Sequence, residues 1–342
     1  LIGSARISSE QTLSVQITPL PGATFGGLVQ GGDASAEAFA ALPDALTENS
    51  GFLLVPDMHA ISDDPPLLVW LSRLFGPGVE DYRLTGAAAN TVHTDVPEII
   101  IVSNARPVNH LPPAPPDPAR TADGGLPVQF PHRRGWHTDQ SYRRPPPDIS
   151  LFYAVTPAPE GQGQTLYADG AGAYVALPGD LKERIKGVDG LHVKPRTGRS
   201  EHAVRAGDTP QPLAPHQRPQ RQPLVRTHPV SGQPTLYLCE AGQMDWVEGP
   251  IVGMEPGIHG DGAKLVYELM THMTGPDFTY AHHWKAGDLV IYDNRAVLHS
   301  ATWFDAEAHT RVMWRTTVHG NPGPEYADES KSWIPAERSA MS

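Results

Sequence analysis

Short apolar runs, each cut off by Gly, Pro or Asp, dominate the chain. The segments "SGFLLVPD", "PEIIIVSN", "DISLFYAVTP", "GQTLYADG", "QPLVRTHP", "PTLYLCE", "FTYAHHWKAGDLVIYDN" and "RVMWRTTVHG" are rich in β-branched and aromatic residues and read as strands. "VSGQP" and "KAGD" have the chemistry of hairpin turns. Helical patterning occurs in three places. "SAEAFAALPDALTEN" and "SDDPPLLVWLSRLFG" have capping residues in front and Gly behind. In "DGAKLVYELMTHMTG", Leu265, Leu269 and Met273 share one face, with Asp261 as the expected N-cap. There is no internal repeat. Many antiparallel strands with a few helices packed outside predict a mainly β fold, a sandwich or jelly roll (double-stranded β-helix), rather than alternating βαβ units.

Two stretches break the pattern. Residues 106–134 and 194–226 crowd together many of the chain's 36 prolines and lack apolar periodicity. Both are expected to be long loops inserted into a single domain spanning 1–342. Loops of this length in a compact domain are commonly lids, binding loops or disordered segments, so a place over a functional site is expected for both, with surface disorder at each tip as the alternative.

Composition narrows the class. The 342 residues are 39% hydrophobic and 19% charged, a globular composition with enough chain to build a core without staples. No apolar run approaches the roughly 20 residues of a membrane span. The net charge of −12, from 26 basic and 38 acidic side chains, argues against a nucleic-acid-binding surface. The one cysteine, Cys239, allows no intrachain disulfide and fits a reducing, cytoplasmic setting. Its place in a strand-like run predicts a buried apolar role. The opening "LIGSARISSEQTLSVQITPLPG" has no basic region followed by an apolar core, so no secretory signal is expected in it; because it does not begin with Met, further N-terminal residues are expected.

Three His-x-Asp pairs stand out among 16 histidines: His93–Asp95, His137–Asp139 and His259–Asp261. Residues two apart on a strand point to the same side, so such a pair can reach one cavity together. A facial triad of two histidines and one carboxylate needs a second His from a distant strand and leaves metal positions open. His299, in "YDNRAVLHSATWF", is a candidate. Asp261 falls at a helix start, where a cap explains it better. A lone His-x-Asp is weak evidence in a His-rich chain.

Context separates the three. "GWHTDQSYRRPPPDISLFYAVTPAPEGQGQTLYAD", "QPLVRTHPVSGQPTLYL" and "HWKAGDLVIYDNRAVLHSATWFDAEAHTRVMWRTTVHG" follow one another in an order that resembles the taurine dioxygenase (TauD/TfdA) family of iron and 2-oxoglutarate-dependent dioxygenases. The resemblance implies that His137, Asp139 and His299 hold Fe(II). It implies that Arg311, with its planar fork, and Thr165 bind the distal carboxylate of the co-substrate 2-oxoglutarate. On a regular strand Arg315 would share a face with Arg311; the resemblance gives it the anionic group of the substrate, with a structural ion pair as the alternative. His93 lies where the family places substrate-facing residues, which makes it a pocket candidate, although a surface or structural histidine is the favoured reading. Trp136 is expected to pack beside the metal segment, and Asp293 and Asn294 to form a turn and support the ligands. Retention of Asp139 speaks against halogenation.

The implied activity consumes O2 and 2-oxoglutarate, releases succinate and CO2, and oxidises a small, anionic substrate by hydroxylation, bond cleavage or desaturation. Two rival readings use the same ligand types: a non-oxidative, cupin-like metal enzyme, and a catalytically silent binding protein. A homo-oligomer is compatible with the sequence.

Overall fold

The computed structural model describes residues 15–31, 36–115, 135–214, 217–240, 242–327 and 329. The strands are β1 (Gln16–Pro19), β2 (Gly27–Gln30), β3 (Phe52–Val55), β4 (Gly78–Val79), β5 (Ile100–Ser103), β6 (Ile149–Thr156), β7 (Thr165–Asp169), β8 (Asp189–His192), β9 (Gln220–Pro223), β10 (Val225–Thr227), β11 (Pro234–Leu236), β12 (Thr279–His282), β13 (Leu289–Asp293), β14 (Val297–Ala301) and β15 (Val312–His319). An eight-stranded sheet runs β1-β2-β3-β13-β6-β15-β4, with β5 also on β15; a three-stranded sheet runs β12-β7-β14. Pairing is antiparallel except between β2 and β3.

Period-two alternation explains how the layers stack. Along β6 and β13, Leu151, Tyr153, Leu289 and Ile291 pack with the helices Leu42–Glu48 and Pro66–Arg73 on the outer face of the large sheet. Their neighbours Phe152, Ala154, Val290 and Tyr292 face inward, joining Tyr167 and Val297 of the small sheet. On that sheet Leu166, Ala168 and Leu298 turn the other way, onto the helix Asp261–Met273. The result is helices, large sheet, small sheet and helices in succession, a mainly β fold. The inner space between the sheets receives Thr165 and Tyr167 of β7, Val297 and His299 of β14, and Met313 and Arg315 of β15.

All the expected strand segments contain strands, and the three helical patterns contain helices. Three expectations need correction. "KAGD" turns (Asp288 N–H donates to Lys285 C=O, 3.1 Å), but it carries the chain from β12 in one sheet to β13 in the other and closes no hairpin. Asp261 does not cap its helix: Gly260 holds that position, and Asp261 pairs with Lys264 at 2.9 Å. Residues 194–226 are not one long loop, because the helix Glu201–Ala206 and strands β9 and β10 lie within them. Helices Gly170–Ala176 and Gly179–Ile185 had no sequence expectation. In the other Pro-rich stretch, residues 106–115 are irregular as expected, and 116–134 lie outside the described residues. "VSGQP" does close the β10–β11 hairpin.

Candidate metal centre and its cavity

His137 and His299, far apart in sequence, are backbone partners. His137 N–H donates to the His299 carbonyl (3.0 Å) and His299 N–H donates to the His137 carbonyl (2.8 Å). Directly opposed residues present their side chains to one face, and the rings lie 4.3 Å apart. Asp139, two residues on from His137, reaches the same place. One ligand atom from each of His137, Asp139 and His299 falls within 4.8 Å of the other two, the only such group among the described residues. His93–Asp95 and His259–Asp261 form no comparable cluster.

The protonation states suit a metal. His137 Nδ1 lies 2.7 Å from the Gly135 carbonyl, which fixes the proton on Nδ1 and leaves the Nε2 lone pair free. Burial lowers the His137 imidazole, and burial with the neighbouring His137 brings His299 down to about 3. Both rings are therefore neutral near pH 7, the form that ligates. Burial alone would raise the Asp139 carboxyl, but Arg315, His299, His137 and Tyr292 hold it well below the usual carboxylate range.

Asp139 is held at both oxygens. Its Oδ2 accepts from Tyr292 Oη (2.6 Å) and Ser150 Oγ (2.8 Å). Ser150 in turn accepts from Asn294 Nδ2 (2.9 Å), and Asn294 Oδ1 accepts the Asp139 N–H (3.1 Å). Burial, then Asp139, push the Tyr292 hydroxyl well above its ordinary value, so it remains a donor at neutral pH. Oδ1, which lies 3.8 Å from His299 Nε2, accepts from Arg315 Nη1. Two histidines and a carboxylate, with lone pairs converging and one carboxylate oxygen turned inward, fit a divalent transition metal with open positions.

A cavity of about 450 Å³ opens beside these ligands. Its lining includes His137, His299, Thr165, Arg311, Arg315 and Phe152. Arg311 is 7% exposed, and its Nε and one Nη have no hydrogen-bond partner among the described residues. Its backbone is held where Asn104 Oδ1 accepts the Arg311 N–H (2.8 Å). Burial brings its guanidinium down to about 10. Burying a cation without an anion is costly, so Arg311 marks a place for a carboxylate. Thr165 Oγ1 accepts from Trp284 Nε1 (2.9 Å), which leaves the hydroxyl proton for another acceptor.

Arg315 behaves differently from the expectation of a free anion receptor. It has an acidic partner, Asp139. Nor do Arg311 and Arg315 sit on one regular strand: Arg311 precedes β15, and the register shifts between Val312 and Met313. Both nonetheless line the cavity. His93 lies outside the lining. Its Nδ1 accepts from the N–H groups of Asp95 (3.3 Å) and Val96 (3.2 Å), and its ring packs edge-on to Trp314, a structural role. Trp136 and Cys239 are buried in the outer core, and Cys239 is raised to about 11 by burial. Asp293 and Asn294 form the turn ahead of β14.

Sequence reading did not single out Tyr292, Ser150, Asn104, His110 or Arg196. Tyr292 carried one usable signal, since alternation places it on the face opposite Ile291.

Comparison with known proteins agrees with this geometry. The family described as "Taurine catabolism dioxygenase TauD, TfdA family" matches residues 16–317. The chain belongs to the TauD/TfdA family. An alpha-ketoglutarate-dependent 2,4-dichlorophenoxyacetate dioxygenase of Burkholderia sp. (strain RASC) is 33% identical over 187 residues, which span 54% of this chain and only 57% of that relative. A second relative, the (S)-phenoxypropionate/alpha-ketoglutarate-dioxygenase of Sphingobium herbicidovorans, is 28% identical over 91% of this chain and 97% of its own length. The solved structure of AAD-2 in complex with Mn(II) and N-oxalylglycine superposes with a TM-score of 0.63 and 25% identity, covering 90% of this chain and 98% of that one. Among the described residues no helix is long and apolar enough to cross a membrane.

Proposed function

We propose that this TauD/TfdA-family chain is an Fe(II)- and 2-oxoglutarate-dependent dioxygenase that oxidises a small anionic organic compound and releases succinate and CO2. The observation that carries this reading is the unpaired, buried Arg311 guanidinium in the same cavity as His137, Asp139 and His299. A non-oxidative metal enzyme has no keto-acid co-substrate and so does not by itself call for a buried cation at that position.

His137, Asp139 and His299 would hold the iron, which when bound supplies the redox chemistry coupling O2 and keto-acid decarboxylation to substrate oxidation. The chain supplies the rest. Arg311 pairs with the distal carboxylate of 2-oxoglutarate, and Thr165 donates its hydroxyl proton to the same group. Tyr292 and Ser150 occupy Asp139 Oδ2, which turns Oδ1 toward the open side. Arg315 steadies that oxygen from the neighbouring strand, and Phe152 walls the cavity against water. The named relatives act on phenoxyalkanoates, which supports an anionic substrate here.

The test is O2 consumption by the Fe(II)-loaded chain with 2-oxoglutarate and a panel of small carboxylates, sulfonates and sulfate esters. At least one anion should accelerate consumption several-fold over the rate without it. A panel in which only neutral compounds accelerate it would overturn the anionic assignment.

A further inference from the structure

The described lining of the cavity contains three arginines, Arg196, Arg311 and Arg315, and three histidines, with no Asp or Glu among them. The whole chain carries −12. So much concentrated positive charge in an acidic protein implies anionic ligands. Two of the three guanidiniums are accounted for: Arg311 faces the site for the keto acid, and Arg315 is engaged by Asp139. Arg196 is exposed at the mouth and has no hydrogen bond or ion pair among the described residues.

Its backbone is more telling than its exposure. Arg196 has φ +68°, a left-handed conformation that L side chains rarely adopt and that glycine adopts freely. Asn109, which lines the cavity from the other Pro-rich segment, has φ +52°. Asn visits this region readily, but an Arg held there persists only where the surrounding structure fixes it. That holding is visible. Thr197 Oγ1 donates to the Lys194 carbonyl (2.9 Å), and Arg199 is fixed to the buried Asp245 at 2.8 Å. The loop is therefore anchored on both sides of Arg196, and the side chain is kept where a glycine would be easier.

We propose that Arg196 receives the anionic group of the substrate and sets the specificity of the cavity, an assignment that rests on the functional reading above. Apolar residues line the remaining space, among them Ile100, Val102, Val108, Pro112 and Phe304. They fit the body of the molecule whose charged head Arg196 holds. His110 stands beside this guanidinium, lowered by burial and then by Arg196, Arg311 and Arg315, so it is neutral and adds no competing cation near pH 7. The ligand is an amphiphilic anion with a compact apolar body and one charged end facing the mouth.

The experiment is anaerobic isothermal titration of the full chain, loaded with Mn(II) and 2-oxoglutarate, with phenoxyacetate and its neutral counterpart phenoxyacetamide. The wild type should bind the acid roughly 10- to 100-fold more tightly, the range of a charge-assisted hydrogen bond. Arg196→Gln and Arg196→Gly should both abolish that preference. Arg196→Gly should melt no lower than the wild type, because it relieves the left-handed strain, and this separates lost recognition from lost folding. A wild type without preference, or a preference intact in both variants, overturns the assignment; so does a preference that survives in Arg196→Gln and disappears in Arg315→Gln. Succinate formation is scored separately. A chain that makes succinate but keeps its preference without Arg196 loses this assignment alone. A chain whose preference depends on Arg196 but which makes no succinate loses the dioxygenase reading alone.

Discussion

The two oxygens of Asp139 have different partners. Oδ2 is committed to Tyr292 and Ser150, and Oδ1 is turned toward His299 and Arg315. Removing the Tyr292 hydroxyl should therefore loosen the ligand without deleting it. Tyr292→Phe is expected to weaken metal binding by about 10- to 100-fold, the usual cost of losing a partner that orients a ligand. Calorimetric titration with Mn(II) reads this directly, and an unchanged Kd would show that Ser150 alone is sufficient. Arg311 makes the complementary case. Its guanidinium is buried without an anion, so Arg311→Met should not lower the melting temperature of the ligand-free protein. The same variant should raise the KM for 2-oxoglutarate by roughly 100-fold, since a charge-assisted bidentate contact is lost. A variant that melts lower but keeps its KM would make Arg311 structural. At this scale the sequence was readable wherever chemistry forces a residue type: His137, Asp139, His299, Thr165 and Arg311 all meet at one cavity. At Arg315 the sequence left a substrate anion and a structural ion pair open, because a partner such as Asp139, contributed from a distant segment, leaves no local mark. At His93 it left pocket and structural roles open, and the turn contacts to Asp95 and Val96 depend on a backbone that only the fold reveals.

Among the elements, the turn between β13 and β14 decides whether His299 reaches the site. Asp293 fixes it, accepting from Arg295 Nε (2.8 Å) and Nη2 (2.5 Å) and lying 2.9 Å from His228 Nε2. Burial would raise this carboxyl, yet Arg295 and His228 hold it well below the ordinary 3.8. A depressed folded pKa stabilises the protein above the unfolded value, and that contribution is lost as pH falls toward the folded one. Asp293→Asn should therefore cost about 3–5 kcal/mol near neutral pH, because it leaves a buried cation unpaired. The gap between wild type and variant should be full above about pH 5 and shrink as pH falls below about 4. Denaturant unfolding across that range measures it, and a gap that widened in acid would reverse the assignment. Strands were readable from alternation, since β-branched and aromatic runs on two buried faces have few other uses. Within 194–226 only β10 was readable, inside "QPLVRTHP"; the helix Glu201–Ala206 and β9 were not. Proline and arginine hide their periodicity, and β9 gains its pairing from β8 rather than from its own composition. β14 was hidden too, because its polar His299 and Ser300 interrupt an otherwise short apolar run.

For the whole molecule, the two sheets form a cationic cavity inside an anionic protein. The sheet order brings β14 beside β7, and β15 beside both β5 and β6. Residues from distant stretches of the chain thus face one space. Composition pointed away from nucleic acid, and because Arg196 lies far along the chain from Arg311 and Arg315, their meeting in one cavity was not legible in it. Whether that space does redox chemistry is the central claim, and succinate is its direct product. The Fe(II)-loaded wild type, given 2-oxoglutarate and air, should form succinate above background even without a substrate, and His137→Ala should not. Succinate absent from the wild type, or formed equally by the variant, would contradict the claim.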